Sequence, residues 1–302
     1  MSTVKFFNVS NGDMSYIEHN SDNFSIIDCN LPEDKYCRTT ILNEIKDIRA
    51  KKSIFRFIST HPDEDHFHGL EDINETTCIE NFYCVKNSVT KQDITPSFKA
   101  YSNLRDDKNK AFYIEEGCSR KWMNQGSDER GSSGINILWP DTSNEDFKLA
   151  LNQADVSPNN ISPIIKYSIE DNATFLWMGD LETDFMNKIG DVVDWPQIDV
   201  LLAPHHGRKS GHVPGAILRK LNPKLIILGH AESKDMNYYC GWNTILKKHS
   251  GNITIECSNH FMNIWVDNPE YKSGITTLKN NPQKSDLSSS LYYIGSINVD
   301  VS

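Results

Sequence analysis

No stretch of this 302-residue chain approaches the roughly 18 to 20 consecutive apolar residues that a bilayer-spanning helix requires. Its first residues, Met1-Ser2-Thr3-Val4-Lys5, also lack the basic and then apolar layout of a secretory leader. Both absences point to a cytoplasmic chain with no membrane partner. A disulfide framework is missing as well. The seven cysteines (Cys29, Cys37, Cys78, Cys84, Cys118, Cys240 and Cys257) are odd in number, scattered and free of any C-x-x-C pair, so they are read as reduced thiols. Positive charge is in deficit: a formal net charge of -10 disfavours attraction of the whole surface to nucleic acid, yet leaves room for a local basic or metal-bearing groove. No repeat of fixed period is present, and histidine is absent between His68 and His205.

What remains is enough for a sizeable core. The apolar fraction of 38% and the length suit one large domain. Short apolar runs at Val4 to Val9, Met14 to Ile17 and Phe24 to Ile27 read as strands, the first two joined through Asn11-Gly12-Asp13. Ile41, Leu42, Ile45 and Ile48 fall at helical spacing within Thr39 to Ala50. Strands are expected at Ile54 to Ile58, Ile135 to Trp139, Ile164 to Ile169, Thr174 to Met178, Asp199 to Ala203, Lys224 to Leu228, Ile253 to Cys257 and Phe261 to Val266. A turn is expected at Asp171-Asn172. Helices are expected at Asn144 to Gln153, around Phe185 to Ile189, at Pro214 to Leu221 and at Thr244 to His249. Between residues 86 and 160 the periodicity fades, and Gly126 to Gly134 is loop-like by composition. The organisation expected is one domain over residues 1–266 with an insertion at about 86–160, then a polar extension over 267–302 with one late strand at Leu291 to Ile297.

The chemistry concentrates in Ser59-Thr60-His61-Pro62-Asp63-Glu64-Asp65-His66-Phe67-His68-Gly69, directly after a buried strand. Two other apolar strands end in Asp180 and in His205-His206. A sandwich that aligned these strand ends would gather nitrogen and carboxylate ligands for two divalent ions. His61 and Asp63 can serve one ion, Asp65 and His66 the other, with Asp180 between them. Two ions ~3.5 to 4 Å apart lower the pKa of a shared water toward about 7 and clamp attacking and leaving oxygens. Three carboxylates against two such ions leave net positive charge, suited to an anionic substrate. The oxygen-rich set makes Mn²⁺ a competitor to Zn²⁺.

These residues, together with Val4-x-Phe6-x-Asn8-Val9-x-x-Gly12-Asp13, Ile27-Asp28, Asn159-Asn160-x-Ser162, Gly179-Asp180-Leu181-Glu182 and Pro204-His205-His206-Gly207-x-Lys209-Ser210, resemble the metallo-β-lactamase-fold hydrolases. Within them the ComEC-like branch, typified by the hydrolase domain of the competence protein, is the most similar. The resemblance implies an αββα sandwich of two mixed sheets flanked by helices, and a dinuclear site at one edge with Asp180 bridging. One of His205 or His206 would complete it, and the activity would be that of a phosphodiesterase or nuclease. Two departures stand out. Many members carry His where this chain has Asp63, and the branch pattern Asn-x-Tyr-Gly-His-Pro is met only by Asn237-Tyr238-Tyr239-Cys240-Gly241-Trp242, leaving His230 as a substitute.

Each residue also has a plainer reading. Asp180 could be a turn aspartate before a helix, and the 61 to 66 cluster a solvated loop, although four ligand-type residues at this spacing are rarely incidental. Arg208 and Lys209 could neutralise a substrate phosphate or be surface charge. Asp13, Asp28 and His68 are read as neighbours that orient ligands. Asp65 and Asp180 are the residues expected to be indispensable for hydrolysis. The leading expectation is a metal-dependent phosphodiesterase with a nucleic-acid substrate, using a hydroxide shared between the ions. The alternatives are hydrolysis of a small ester, lactone or phosphocholine-type substrate, or a non-catalytic subunit working with a partner encoded nearby, as in defence against foreign DNA.

Overall fold

The computed structural model describes residues 1–168, 173–258, 260–284, 287 and 290–299. The expected Asp171-Asn172 turn lies outside them. In chain order the strands are β1 Ser2–Phe6, β2 Ser15–Glu18, β3 Asn23–Ile27, β4 Cys29–Asn30, β5 Ile54–Ser59, β6 Phe82–Cys84, β7 Ala111–Tyr113, β8 Ile135–Trp139, β9 Ile164–Ser168, β10 Thr174–Trp177, β11 Val200–Leu202, β12 Leu225–Leu228, β13 Thr244–Leu246, β14 Ile253–Ser258, β15 Phe261–Val266 and β16 Tyr292–Asn298. Among the described residues they form a nine-stranded sheet, β16-β15-β14-β1-β2-β3-β5-β6-β7, and a six-stranded sheet, β13-β12-β11-β10-β9-β8.

Both sheets are mixed. β3, β5, β6 and β7 run parallel, as do β10, β11, β12 and β13. Parallel strands bring the loops that follow them to one edge, and that is where chemistry can collect. Strands covered on both faces read as near-continuous apolar runs rather than alternating ones, which is the pattern of β5 apart from its buried Arg56. Its Phe55 and Phe57 enter the core beneath the outer helices, while Ile58 enters the core between the sheets. Across that inner core Phe6 stacks on Trp177 at 5.9 Å, and Trp177 Nε1 donates to Ser15 Oγ at 3.0 Å.

Helices α1 (Lys35–Arg49), α3 (Leu70–Thr77) and α4 (Pro96–Asp106) bury Ile45, Ile48, Leu70, Ile73, Phe98 and Tyr101 against the outer face of the large sheet, with the short α2 (Glu64–Phe67) between them and the ligand loop. On the other side α5 (Glu145–Asn152), α6 (Thr183–Ile189) and α7 (Gly215–Leu221) add Phe147, Met186, Ile189 and Leu221 to the main core. The four layers are the αββα sandwich expected. Among the described residues no helix is long and apolar enough to cross a membrane.

Several elements depart from the periodicity. Helix α1 starts four residues before the expected Thr39 because Asp34 caps it, accepting from Cys37 N, and the added turn is exposed and carries no apolar spacing. The helix expected over Thr244 to His249 is instead β13 followed by one helical turn, Lys247–Ser250. Two apolar residues cannot distinguish a strand from a helix, and pairing with β12 decides for the strand. Residues 86–160 contain α4, β7, β8 and α5, and β7 and β8 form edges of the two sheets. The late strand is found as β16, paired with β15.

Candidate metal centre

Three chain segments meet at the shared strand edge. The first leaves β5 and carries His61, Asp63, Asp65 and His66, Asp63 standing just before α2. The second leaves β10 through Gly179, whose φ is 51°. A Cβ there would lie 2.6 Å from Ser162 Oγ and 2.9 Å from Thr60 Cβ, so only glycine lets the Asp180 loop come this close to the His61 loop. The third follows β11, where His205 and His206 both hold left-handed backbone, with φ of 50° and 58°. Two consecutive non-glycine residues in that region carry strain of the kind that tertiary structure sustains at functional sites.

Asp180 is the hub. Its carboxylate oxygens lie 3.1 Å from His66 Nε2, 3.6 Å from His206 Nε2, 3.7 Å from His205 Nε2 and 4.0 Å from His61 Nε2. Asp65 Oδ2 lies 3.4 Å from His206 Nε2, and Asp63 Oδ2 lies 4.0 Å from His61 Nε2. All seven residues expected to form the centre are therefore gathered around one point, and both members of the His205-His206 pair reach it.

The opposite ring nitrogens are tied down. His66 Nδ1 is 2.9 Å from Asp28 Oδ2, whose carboxylate also accepts from Thr60 N and Thr60 Oγ1, each at 2.7 Å. His206 Nδ1 is 3.1 Å from Asp13 Oδ2, while Asp13 Oδ1 accepts from the buried Lys247 at 2.7 Å. His61 Nδ1 sits near Thr60 Oγ1 and Ser162 Oγ, at 3.0 and 3.3 Å, and His205 Nδ1 faces Ser210 Oγ at 3.0 Å. A carboxylate on Nδ1 holds the proton there and turns the Nε2 lone pair outward.

Nε2 of His61, His66 and His206 and Oδ1 of Asp180 are all buried and make no well-formed hydrogen bond, the nearest approach being His66 Nε2 to Asp180 Oδ1 at 3.1 Å. Each such group costs about 1 to 3 kcal/mol, and four acceptors aimed at one place fit a cation. The spacing fits as well. Donors about 2.0 to 2.1 Å from a tetrahedral ion lie roughly 3.3 Å from one another, and the contacts among Asp65, His66, Asp180 and His206 are 3.1 to 3.6 Å. Asp13, His66, Asp180 and His206 offer donors within 4.8 Å of one another, but both Asp13 oxygens are engaged by Lys247 and His206.

Electrostatics follow the same map. Burial works against the charge on Asp180, yet His66 and His206 outweigh it and hold its carboxyl well below the usual range. Burial likewise opposes a charged His66, but Asp180 and Asp28 raise its pKa well above the ordinary value. His206 is pushed up to about 9 against burial by Asp13 and Asp180, while burial and then His66 push His61 down to about 4. The carboxylates thus attract positive charge, which a proton or a metal ion can supply.

Other expected residues lie farther out. His68 faces Glu33 at 3.0 Å and Glu64 at 3.7 Å. Arg208, Lys209 and His230 border a groove of about 690 Å³ beside His205, shared with Glu182, Asp184, Glu232 and Asp235. His230 Nε2 is bonded to Asn8 Oδ1 at 2.8 Å. Thr60, Ser162, Lys91 and Lys247 were not singled out as site residues from sequence. Lys247 directly follows β13 and Lys91 lies in the segment after β6, both strands parallel to a neighbour, which carries them to the same edge.

No protein-family model matches the sequence, and no curated relative does. Among solved structures, a metallo-β-lactamase candidate from Thermotoga maritima aligns with TM-score 0.38 at 14% identity, over 67% of this chain and 95% of that one. A motif mutant of a metallo-β-lactamase from Cronobacter sakazakii aligns with TM-score 0.40 at 11% identity, over 72% and 89%. The diiron β-hydroxylase CmlA from Streptomyces venezuelae aligns with TM-score 0.38 at 11% identity, over 80% and 46%.

Proposed function

We propose that this chain is a metal-dependent hydrolase and, more finely, a ComEC-like phosphodiesterase that cleaves nucleic acid. One observation carries the reading: four histidine Nε2 atoms converge within 4.0 Å of the Asp180 carboxylate, three of them buried and making no well-formed hydrogen bond. A divalent ion, Zn²⁺ or Mn²⁺, would supply Lewis acidity there when bound and would lower the pKa of a water toward neutral pH. Asp65, Asp180, His66 and His206 would hold it, and Asp28 and Asp13 fix the rings that face it. His205 differs from the other three histidines: its side chain is 14% exposed where theirs are at 0%. Its Nε2 is 3.7 Å from Asp180 Oδ2, and the chain runs on from it to Arg208 and Lys209 of the groove, so it is placed to exchange a proton with a reacting oxygen. Burial keeps its pKa below the ordinary value, so the ring would first take a proton from the attacking water and then give it to the leaving oxygen.

Arg208 and Lys209 on the groove favour a phosphodiester, since both complement phosphate oxygens. The four carboxylates on the same groove favour a second reading, a small ester or lactone, because they oppose the approach of a polyanion. The experiment strips the purified protein of metal, restores Zn²⁺ or Mn²⁺, and offers DNA, RNA, a generic phosphodiester and a generic ester. Metal-dependent cleavage of nucleic acid is expected. Ester cleavage with nucleic acid left intact would reverse the choice, and no hydrolysis with either ion would remove the enzymatic reading.

A further inference from the structure

Asp63 is the odd member of the centre. Its side chain is 36% exposed, its Oδ2 stands 4.0 Å from His61 Nε2, and its Oδ1 is 3.0 Å from Lys91 Nζ. Lys91 is carried by the segment after β6, which runs parallel to β5 and therefore exits at the same edge. That segment is anchored. The buried Arg105 donates Nη1 to Val89 O at 2.9 Å and to Asn87 Oδ1 at 3.2 Å, and Thr90 N donates to Asp155 Oδ1 at 2.7 Å. The ammonium also sits 5.5 Å above the Phe67 ring, so two features besides Asp63 favour its position.

The two halves of the centre are built differently. Around Asp65, His66, Asp180 and His206 the contacts His66–Asp180, Asp65–His206 and Asp180–His206 are already 3.1 to 3.6 Å, and both rings have a carboxylate on Nδ1. Around His61 the carboxylate oxygens stand at 4.0 Å, and Nδ1 faces the hydroxyls of Thr60 and Ser162 rather than a carboxylate. A hydroxyl raises the basicity of a ligating imidazole less than a carboxylate does. The first half also has four donors where the second has three, His61, Asp63 and Asp180, and the sequence between His68 and His205 holds no histidine to add another.

We propose that the centre takes a single divalent ion, between Asp65, His66, Asp180 and His206, and that the Lys91 ammonium stands at Asp63 in place of a second. This rests on the metal-dependent reading above. A fixed ammonium offers a substrate oxygen a point charge without Lewis acidity, so Lys91 becomes a positioning group of the site.

The test is metal stoichiometry of the full chain. Metal-free protein is titrated with Zn²⁺ by calorimetry, and the metal retained after dialysis is counted by elemental analysis. The expected result is one equivalent for the native chain and for Asp63→Asn, and two for Lys91→Met, which keeps the stem over Phe67. Lys91→Gln is a second variant, and circular dichroism checks that each is folded. Two equivalents in the native chain would overturn the assignment of Lys91 while leaving a metal centre in place. No bound metal would overturn both. One equivalent in the native chain and in both folded Lys91 variants would show that the lysine excludes nothing.

Discussion

Replacing Asp28 with Asn tests how the protein sets the direction of the His66 lone pair. Asp28 has a φ of 55°, a backbone region that Asn tolerates at least as well as Asp, so the change isolates the carboxylate from the chain. In the native protein its two oxygens receive Thr60 N, Thr60 Oγ1 and His66 Nδ1, at 2.7, 2.7 and 2.9 Å. If the Asn oxygen stays on Thr60 N, its amide NH₂ faces His66 Nδ1 and forces the ring proton onto Nε2, the atom aimed at Asp180. If it flips, the NH₂ opposes the Thr60 N–H in a buried setting, which costs about 1 to 3 kcal/mol. Either outcome weakens metal binding. The loss of an orienting carboxylate typically lowers affinity about 10- to 100-fold, or roughly 1.4 to 2.7 kcal/mol. The assay is Zn²⁺ competition against a chromophoric chelator at fixed pH and salt, with the unfolding midpoint of the metal-free protein as control. A Kd within twofold of native in a folded Asp28→Asn protein would refute the tautomer reasoning.

Further outcomes follow from the same geometry. Asp180→Ala and Asp65→Ala should each abolish hydrolysis while leaving circular dichroism and the elution volume unchanged; full activity in either folded variant would contradict the proposed roles. Lys247→Met strips the buried Asp13 of its cation, pairing at 2.7 Å with the lysine side chain 1% exposed, and should cost about 3 to 5 kcal/mol in urea unfolding, part of it recovered in the double variant with Asp13→Asn. Metal-free protein should also be pH-sensitive through His206, whose folded pKa of about 9 lies above the ordinary 6.5 because Asp13 and Asp180 outweigh burial. That stabilisation is complete below about pH 6.5 and is lost as pH rises through about 9, a fall of about 3 kcal/mol at most. Zn²⁺-loaded protein needs the neutral ring and should lack this dependence, while Zn²⁺ affinity should climb over the same window.

The ligand loop could be read from the sequence because its chemistry is local. His61, Asp63, Asp65 and His66 lie within six residues after an apolar strand, and residue type with spacing suffices. The buried strands are equally legible, since β5, β10 and β11 are dominated by apolar residues, with Arg56 the one buried charge among them. What stayed hidden depends on pairing. Neither Lys91 nor Lys247 has an unusual local sequence, and each joins the centre only because a parallel neighbour carries its loop to the same edge. Helix α4 is announced by its capping residues, Thr95 and Pro96, more than by apolar periodicity. Distinguishing His205 from His206 required coordinates: left-handed backbone at both turns one ring to Asp13 and the other to Ser210, and each Nε2 still approaches Asp180.

The central claim is that these orphaned acceptors hold a metal ion, and anomalous diffraction from crystals grown with Zn²⁺ tests it most directly. A zinc peak is expected about 2.0 to 2.2 Å from His66 Nε2, His206 Nε2 and carboxylate oxygens of Asp65 and Asp180. Zinc confined to surface histidines, with those four residues bound only to water or to one another, would contradict it.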